Sequence, residues 1–274
     1  MTLSGLPLRV VTAIAAAGLL FSCGYFGGTT GLLLICLLAI LRGVHEFGRI
    51  AFSGYNLPVW YPWLFGAHCA VTLFAMHYFE SDYATALGCI FAAYFALSVT
   101  LTRNFNSNEQ LAGGMGLGTI GLLYCVALPA FAIKLLYLQH GLAWFSFLVI
   151  AVFAGDTFAY FGGWFFGKHK LMPQISPKKT IEGAVAGLLG TCLIGVIYVQ
   201  VYFKQIQYWQ LIPFCIACGY VAQCGDLLMS LVKRVSRVKD AGHIMPGHGG
   251  VLDRLDGIYL AAPIMYAFAS YHSF

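Results

Sequence analysis

Two acidic residues lie deep inside apolar stretches of this sequence. Asp156 falls within the stretch 142–167, and Asp226 falls within the stretch 209–232. A carboxylate at such depth in a membrane costs about 3 kcal/mol or more unless it is paired, binds a cation or faces water. Each is therefore a candidate functional residue, and an interhelical ion pair is the structural alternative.

The spacing around Asp226 makes its chemistry more specific. At about 100° per residue, a helix places Asp226, Ser230 and Lys233 on one stripe, which reaches Arg237 if the helix continues. This face runs from a carboxylate through a hydroxyl to cations. Such an order of groups suits a metal ion next to phosphate oxygens.

Two further acids lie on the next apolar segment. Asp253 and Asp256 are three residues apart, so on a helix they are neighbours on one face. Oxygen ligands without a cysteine or histidine cage favour magnesium over zinc. The sequence therefore predicts a Mg²⁺ site at Asp226, Asp253 and Asp256, with room for a second cation. Asp156 is a further ligand or a structural partner for a base.

Residues 239–250 form a glycine-rich basic loop between these two segments. Its glycines would let backbone N–H groups approach an anion closely. The neighbouring bases that supply charge for phosphates are Lys233, Arg234, Arg237 and Lys239. Anchoring of anionic lipid headgroups is the alternative explanation.

A second basic loop covers residues 167–183. Ser176 and Pro177 have the form of a helix N-cap followed by proline at the first helical position. Lys178, Lys179 and Thr180 would then lie where helix amides attract phosphate. This pattern predicts a second phosphate clamp, and electrostatic anchoring at the membrane surface is its rival.

The composition identifies the surroundings of these residues. The chain has 274 residues, of which 60% are hydrophobic and 9% charged, with a mean hydropathy of +0.80. A soluble domain has about 25% charged residues, so that class is excluded. We predict an all-α polytopic membrane protein with about nine spans, the second of which could form a re-entrant pair with the first. The predicted spans are 9–26, 28–42, 59–79, 83–101, 114–137, 142–167, 183–203, 209–232 and 255–271.

The distribution of bases predicts the orientation. With a cytoplasmic N-terminus, 13 of the 15 Lys and Arg residues fall on the inner side. The net charge of +5 reflects these loops and does not indicate nucleic-acid binding. With no amphipathic leader before the first span, we expect a bacterial plasma (inner) membrane protein whose active site faces the cytoplasm.

The charged residues are concentrated in the second half of the chain. Residues 156–256 hold 16 of the 25 charged side chains. We therefore predict a transmembrane scaffold over residues 1–110 and a catalytic region over 111–274, with cytoplasmic loops at 168–182 and 233–254. In the scaffold, Arg42, Glu46 and Arg49 share a helical face as an ion-pair ladder, and Glu46 could approach the site.

Residues 230–256 resemble the signature of the phosphatidate cytidylyltransferase family, also called CDP-diacylglycerol synthases. The matching positions are Ser230, Lys233, Arg234, Lys239, Asp240, Gly242, Pro246, His248, Gly249, Gly250, Asp253, Arg254, Leu255 and Asp256. Upstream matches occur around Gly155-Asp156-Thr157 and over residues 175–183. The resemblance is strong over residues 150–260 and weak in the N-terminal half.

The resemblance implies that a phosphatidate oxygen attacks the α-phosphorus of CTP in line, giving CDP-diacylglycerol and diphosphate. Under it, Asp226, Asp253, Asp256 and Asp156 hold Mg²⁺. The bases Lys233, Arg234, Lys239 and Arg254 neutralise the triphosphate, while Ser230 and His248 bind its oxygens. Asp240 orients Lys239 or a metal-bound water, and Gly249 and Gly250 form the phosphate loop. Lys178, Lys179 and Thr180 hold the lipid headgroup. The family also suggests a homodimer.

One departure from the family pattern and two rival functions remain open. Trp164 stands where relatives commonly have a base. If that base holds a phosphate, either Lys168 or Lys170 substitutes for it here or the activity is reduced. A CTP-dependent polyprenol or phytol kinase would transfer the γ-phosphoryl group instead. A transporter would also bury Asp156 and Asp226, but it gives no reason for two phosphate-binding loops.

Overall fold

The computed structural model describes residues 6–53, 57–78, 83–100, 107–238, 241–242 and 249–273. Helices dominate these residues, as the composition predicts. They are α1 (Leu6–Ser53), α2 (Tyr61–Tyr78), α3 (Tyr83–Thr100), α4 (Asn108–Leu122), α5 (Ala130–Leu135), α6 (Gly141–Phe166), α7 (Ile181–Tyr202), α8 (Tyr208–Val235) and α9 (Leu252–His272). A π-helical turn, Leu123–Ala127, follows α4 directly and precedes α5.

Five of these helical segments are long and apolar enough to cross a membrane: Gly18–Ser53, Asn108–Leu135, Gly141–Phe166, Ile181–Tyr202 and Tyr208–Val235. They make the chain an integral membrane protein. The helices α2, α3 and α9 coincide with three further predicted spans, but they fall outside this group of five.

Helix α1 contains a break where the sequence predicts the end of its first span. Gly28 has φ +54° and ψ −140°, values that separate two helical stretches. A Cβ on Gly31 would collide with the carbonyl oxygen of Cys23, eight residues earlier. In a straight helix these residues are about 12 Å apart along the axis, so the chain folds back on itself at Gly28. The second stretch runs on to Ser53, well beyond the predicted limit at residue 42.

A short hairpin interrupts the helices between α6 and α7. Strands β1 (Lys170–Met172) and β2 (Ser176–Thr180) pair antiparallel, and the Ile175 N–H donates to the Met172 carbonyl at 3.1 Å. Pro173 lies at the second position of this turn, which its fixed φ favours. The prediction that Ser176 caps a helix was therefore wrong: residues 176–180 are extended, and Thr180 is the N-cap of α7.

The chain divides into two compact units. One consists chiefly of Leu37–Ala130 and Val232–Asp253, and the other of Ala13–Cys36, Phe131–Leu231 and Arg254–Phe274. The core of the first unit is aromatic. Its buried rings pack where glycines of α4 leave room, because a Cβ on Gly118 would collide with Tyr94 and one on Gly121 would lie 2.7 Å from Phe47.

Close packing of α6 against α7 builds the second unit. A Cβ on Gly162 would collide with Ala186, and one on Gly187 would lie 2.9 Å from the carbonyl oxygen of Gly155 and 2.8 Å from Gln223 Nε2. Small residues let helix backbones approach in this way within membranes. The contact fixes the end of α6 and the start of α7, and thereby the hairpin between them.

Helix α8 ends before the last residue of the predicted stripe. Its final carbonyls are closed by the Arg237 N–H, which donates to Arg234 O at 3.1 Å, and the Val238 N–H, which donates to Lys233 O at 2.9 Å. This pair of bonds is a Schellman motif, with Arg237 left-handed at φ +56°. The helix does not continue to Arg237, so the condition for this base to lie on the Asp226 face is not met.

Packing of α6 against α7 yields a stability prediction. Gly187→Leu should destabilise the protein by about 1–3 kcal/mol, because the new side chain meets backbone and cannot be accommodated by a rotamer change. The measurement is thermal unfolding in detergent, followed by a thiol-reactive dye that reports the buried cysteines Cys215 and Cys218.

The matched control is Gly116→Leu. A Cβ on Gly116 meets nothing within 4 Å, so this variant should unfold at the wild-type temperature. An equal loss of stability in both variants would contradict the packing argument.

Candidate functional site

The first group of predicted site residues lies in the second unit, and we call it the Asp226 cluster: Asp226, Lys179, Ser230, Asp156 and Arg254. Lys179 Nζ lies 2.6 Å from Asp226 Oδ2, and Ser230 Oγ donates to Asp226 Oδ1 at 3.4 Å. Asp156 on α6 lies near enough to interact electrostatically with Asp226, Lys179 and Arg254. The structure thus brings together residues of α6, β2, α8 and α9.

The backbones of α8 and α9 are in contact next to this cluster. A Cβ on Gly225 would collide with the carbonyl oxygen of Asp256, and one on Gly257 would lie 3.3 Å from the Ala222 carbonyl. The helices that carry Asp226 and Asp256 therefore touch each other within the second unit. Asp256 itself is 8% exposed, and its Oδ1 accepts the Gly257 N–H at 2.8 Å.

The hairpin places Lys179 through contacts at its base. The Thr180 hydroxyl accepts the Gly183 N–H at 3.1 Å, and a Cβ on Gly163 would lie 3.0 Å from that hydroxyl oxygen. Thr180 is buried in this position, where it caps α7 and packs on α6. Lys178, one residue before Lys179, is exposed.

Glu182 closes the same hairpin, a contact that the sequence did not reveal. Its carboxylate accepts the backbone N–H groups of Lys168 at 3.1 Å and His169 at 3.2 Å, and it lies 2.6 Å from His169 Nδ1. The Ile181 N–H also donates to the His169 carbonyl at 2.9 Å. The first turn of α7 therefore holds both ends of the basic loop. An acid two residues after an N-cap is the signal that could have indicated it.

The second group lies in the first unit, and we call it the Asp253 cluster: Asp253, Lys233, Ala241, Gly250 and Glu46. Lys233 Nζ lies 2.6 Å from Asp253 Oδ1, and the side chains are 17% and 8% exposed. Asp253 Oδ2 accepts the N–H groups of Ala241 at 2.8 Å and Gly250 at 3.0 Å. Asp253 therefore neutralises a base and holds both described ends of the glycine-rich loop.

Helix α1 also reaches this loop. Glu46 Oε2 accepts the Leu252 N–H at 3.0 Å, and Arg42 Nε donates to Glu46 Oε1 at 3.1 Å. The predicted Arg42–Glu46 pair is confirmed. Arg49 instead donates through Nη2 to the Ala241 carbonyl at 3.3 Å. Glu46 is the only acid among the first 79 residues, and that isolation is the signal that could have given it more weight.

Some of the remaining predicted site residues lie in the described part of the chain, and others lie outside it. Arg234 and Arg254 are exposed, and both make interactions within the protein. Gly249 has φ +85°, a backbone conformation that residues other than glycine rarely adopt. Lys239, Asp240 and His248 lie outside the described residues. Trp164, which replaces the expected base, is 69% exposed on α6.

The donor chemistry of the Asp226 cluster is compatible with magnesium. Among the described residues, no three His, Cys, Asp or Glu side chains group closely enough to hold a metal ion. Mg²⁺ commonly needs only one or two carboxylates, together with substrate phosphates and waters. Asp226 and Asp156 with the Ser230 hydroxyl provide such an oxygen set. The metal roles of Asp156, Asp226, Asp253 and Asp256 stay predictions.

Comparisons with known proteins identify the family of the chain. The model of the cytidylyltransferase family matches residues 7–272. The phosphatidate cytidylyltransferase of Bacillus subtilis is 33% identical over 192 residues, which cover 69% of this chain and 70% of the relative. That of Staphylococcus haemolyticus is 30% identical over 268 residues, or 95% and 97% of the two chains. That of Rickettsia felis is 37% identical over 155 residues, or 54% and 67%.

The family model thus covers the chain almost from end to end, and one relative matches it over nearly its whole length. The matched region includes both clusters and all nine helices apart from the first residue of α1. The chain belongs to the cytidylyltransferase family.

Proposed function

We propose that this protein is a phosphatidate cytidylyltransferase, which converts CTP and phosphatidic acid into CDP-diacylglycerol and diphosphate. The observation that carries the proposal is the pair of clusters in which predicted site carboxylates and lysines meet, Lys179 with Asp226 and Lys233 with Asp253. The relatives named above are phosphatidate cytidylyltransferases, and the matches to two of them cover 70% and 97% of their length.

The nucleophile of this reaction is a phosphate oxygen that is already an anion near neutral pH. The enzyme therefore needs no strong general base, and its residues act mainly by positioning the two phosphates and neutralising their charge. Lys233, Arg234 and Arg254 are the described bases proposed to bind the triphosphate and the departing diphosphate. Lys239, Asp240 and His248 of the loop are proposed to assist them.

Asp226 and Asp156 are proposed to hold Mg²⁺, with Asp253 and Asp256 as further ligands and a second cation as an option. The ion would screen the repulsion between the phosphates and polarise a phosphoryl oxygen. Ser230 lies on the Asp226 face of α8 and is proposed to donate a hydrogen bond to a phosphate oxygen. The short Lys179–Asp226 contact supports this assignment, because it marks a position at which Asp226 accepts a cation.

The hairpin is the proposed site of the lipid headgroup. It presents Lys178 and Lys179 at the start of α7, and exposed aromatic side chains at the end of α6 precede it: Trp164, Phe165 and Phe166. Aromatic rings with adjacent lysines are typical of the membrane interface. A lipid phosphate could therefore reach the lysines while its acyl chains stay in the bilayer.

The finer topology follows the positive-inside bias. We propose nine spans, a cytoplasmic N-terminus and an active site that faces the cytoplasm of a bacterium, at its plasma membrane. CTP then enters from the cytoplasm and phosphatidic acid from the bilayer. A homodimer is proposed from the family alone.

The reaction is tested with purified protein in detergent, phosphatidic acid, Mg²⁺ and CTP labelled at both the α- and γ-phosphates. We expect the α-label in lipid and the γ-label in diphosphate, because the lipid phosphate attacks the α-phosphorus. The measurement is the distribution of both labels after lipid extraction. Transfer of the γ-label to a polyprenol or phytol would identify a lipid kinase, and absence of label from every lipid would contradict both.

A carboxylate variant tests the metal assignment. Asp226→Asn should lower kcat by about 100-fold or more, because it removes a charge from the proposed cation site. Binding of Mn²⁺, measured by electron paramagnetic resonance without substrate, should weaken in parallel. Glu109→Gln is the control, since Glu109 is an exposed acid at the start of α4. Unchanged Mn²⁺ binding in Asp226→Asn would remove this residue from the metal site.

A lysine variant tests the lipid site. Lys179→Ala should raise the KM for phosphatidate about 10-fold or more, because it removes a charge-assisted contact worth about 1.5–3 kcal/mol. The KM for CTP should change little. Kinetics in mixed micelles with varied phosphatidate give both constants, and Lys204→Ala, a base outside the hairpin, is the control. A change confined to the KM for CTP would place Lys179 on the nucleotide instead.

A further inference from the structure

Glu46 is a buried acid to which the proposed reaction assigns no part. Its exposed fraction is 0%, and it lies in a helical segment that is apolar enough to span a membrane. A carboxylate in such surroundings is costly unless charged partners and hydrogen-bond donors surround it. What surrounds Glu46 therefore indicates what it is for.

The donors to Glu46 come from its own helix and from the start of α9. Arg42 Nε donates to Oε1, and the Leu252 N–H donates to Oε2. Leu252 is the first residue of α9, where backbone amides have no acceptor within the helix. Glu46 thus holds the residue immediately before Asp253.

Two glycines from the described ends of the glycine-rich loop pack against the same carboxylate. A Cβ on Gly242 would lie 2.5 Å from Glu46 Oε1, and a Cβ on Gly250 would collide with Oε2. Side chains essentially never approach so closely, so both positions need glycine for the backbone to pack against Glu46. At these two glycines, the anion that the loop approaches is a carboxylate of the protein itself.

Asp253 holds the same two backbone stretches. It accepts the N–H groups of Ala241 and Gly250, while Arg49 of α1 donates to the Ala241 carbonyl. Glu46 and Asp253 therefore share one set of backbone partners. A shift of the loop ends away from Glu46 would move the donors of Asp253 and, through it, Lys233.

We propose that Glu46 is a positioning residue for the nucleotide. It holds residues 241–242 and 249–252 so that these backbone stretches and the Lys233–Asp253 pair keep the geometry that binds the CTP triphosphate. This inference rests on the proposed function and adds a residue of α1 to it. Because Glu46 acts through the loop, its loss affects CTP rather than phosphatidate.

The kinetic test compares Glu46→Ala and Glu46→Gln with the wild type, and Glu109→Gln is the matched control. Glu46→Ala should lower kcat/KM for CTP by about 100-fold, with the KM for phosphatidate within about twofold of wild type, as for residues that orient a site indirectly. Glu46→Gln keeps an oxygen that can accept the Leu252 N–H, so its loss should be nearer 10-fold. It also keeps the size of the side chain, which leaves the test usable if Glu46→Ala fails to fold.

A second test does not depend on activity. Amide hydrogen exchange at Ala241, Gly250 and Leu252 should become faster in Glu46→Ala and, to a smaller extent, in Glu46→Gln, whereas exchange at the hairpin residues 170–180 should stay at the wild-type rate. A general loss of stability would accelerate both regions.

A double-variant cycle tests the contact itself. Gly242→Ala should impair CTP use in the wild type, because its methyl group would meet the Glu46 carboxylate. In the Glu46→Ala background the same change should add less further loss, since the nearest opposing atoms are gone and only the Gly250 Cα, at 3.1 Å, remains.

The outcomes separate this inference from the proposed function. An active wild type, together with Glu46 variants that keep their CTP constants and their exchange rates, would overturn the role of Glu46. A wild type that labels no lipid would overturn the proposed reaction instead. The exchange and stability measurements would then still decide whether Glu46 holds the loop.

Discussion

A carboxylate in apolar surroundings needs cations or N–H donors, and this constraint shapes both clusters. Asp253 has a lysine and two backbone amides, Asp226 has a lysine and a hydroxyl, and Glu46 has an arginine and the first amide of α9. Each acid thereby ties side chains or backbone that are distant in sequence. The same contacts that compensate the charge also set the positions of the lysines proposed to bind phosphate.

The two ion pairs differ in how strongly their surroundings hold them. The Lys179–Asp226 side chains are 27% and 37% exposed, so solvent screens their attraction and the pair contributes little, about 0–1 kcal/mol. The Lys233–Asp253 side chains are less exposed, and the carboxylate also holds backbone. Loss of one partner there leaves a charge largely buried, which costs about 3–5 kcal/mol. The Asp226 cluster is thus the easier of the two for a cation or a phosphate to rearrange.

Close helix packing supplies the rigid frame on which these groups are held. Glycines of α6 and α7 let the backbones meet, and this contact fixes the ends from which the hairpin extends. Thr180 and Glu182 then attach the hairpin to both helices, so that Lys179 extends from an anchored strand. At the described ends of the glycine-rich loop, Gly242 and Gly250 also allow close packing, because without a Cβ their backbones can lie against the Glu46 carboxylate.

The sequence alone determined the helical membrane class, a boundary between two spans at residues 26–28 and the residues of the family signature, because apolar length and motif spacing are local properties. It did not determine that residues 176–180 form a strand or that α8 stops before Arg237, since Ser176 and Thr180 are both possible caps and no glycine marks the end of α8. The Arg42–Glu46 pair follows from helical spacing, but only the tertiary structure decided the partners of charges that are distant in sequence. Glu46 is 206 residues from Leu252, and no local pattern specifies a contact between a helix near one end of the chain and a loop near the other.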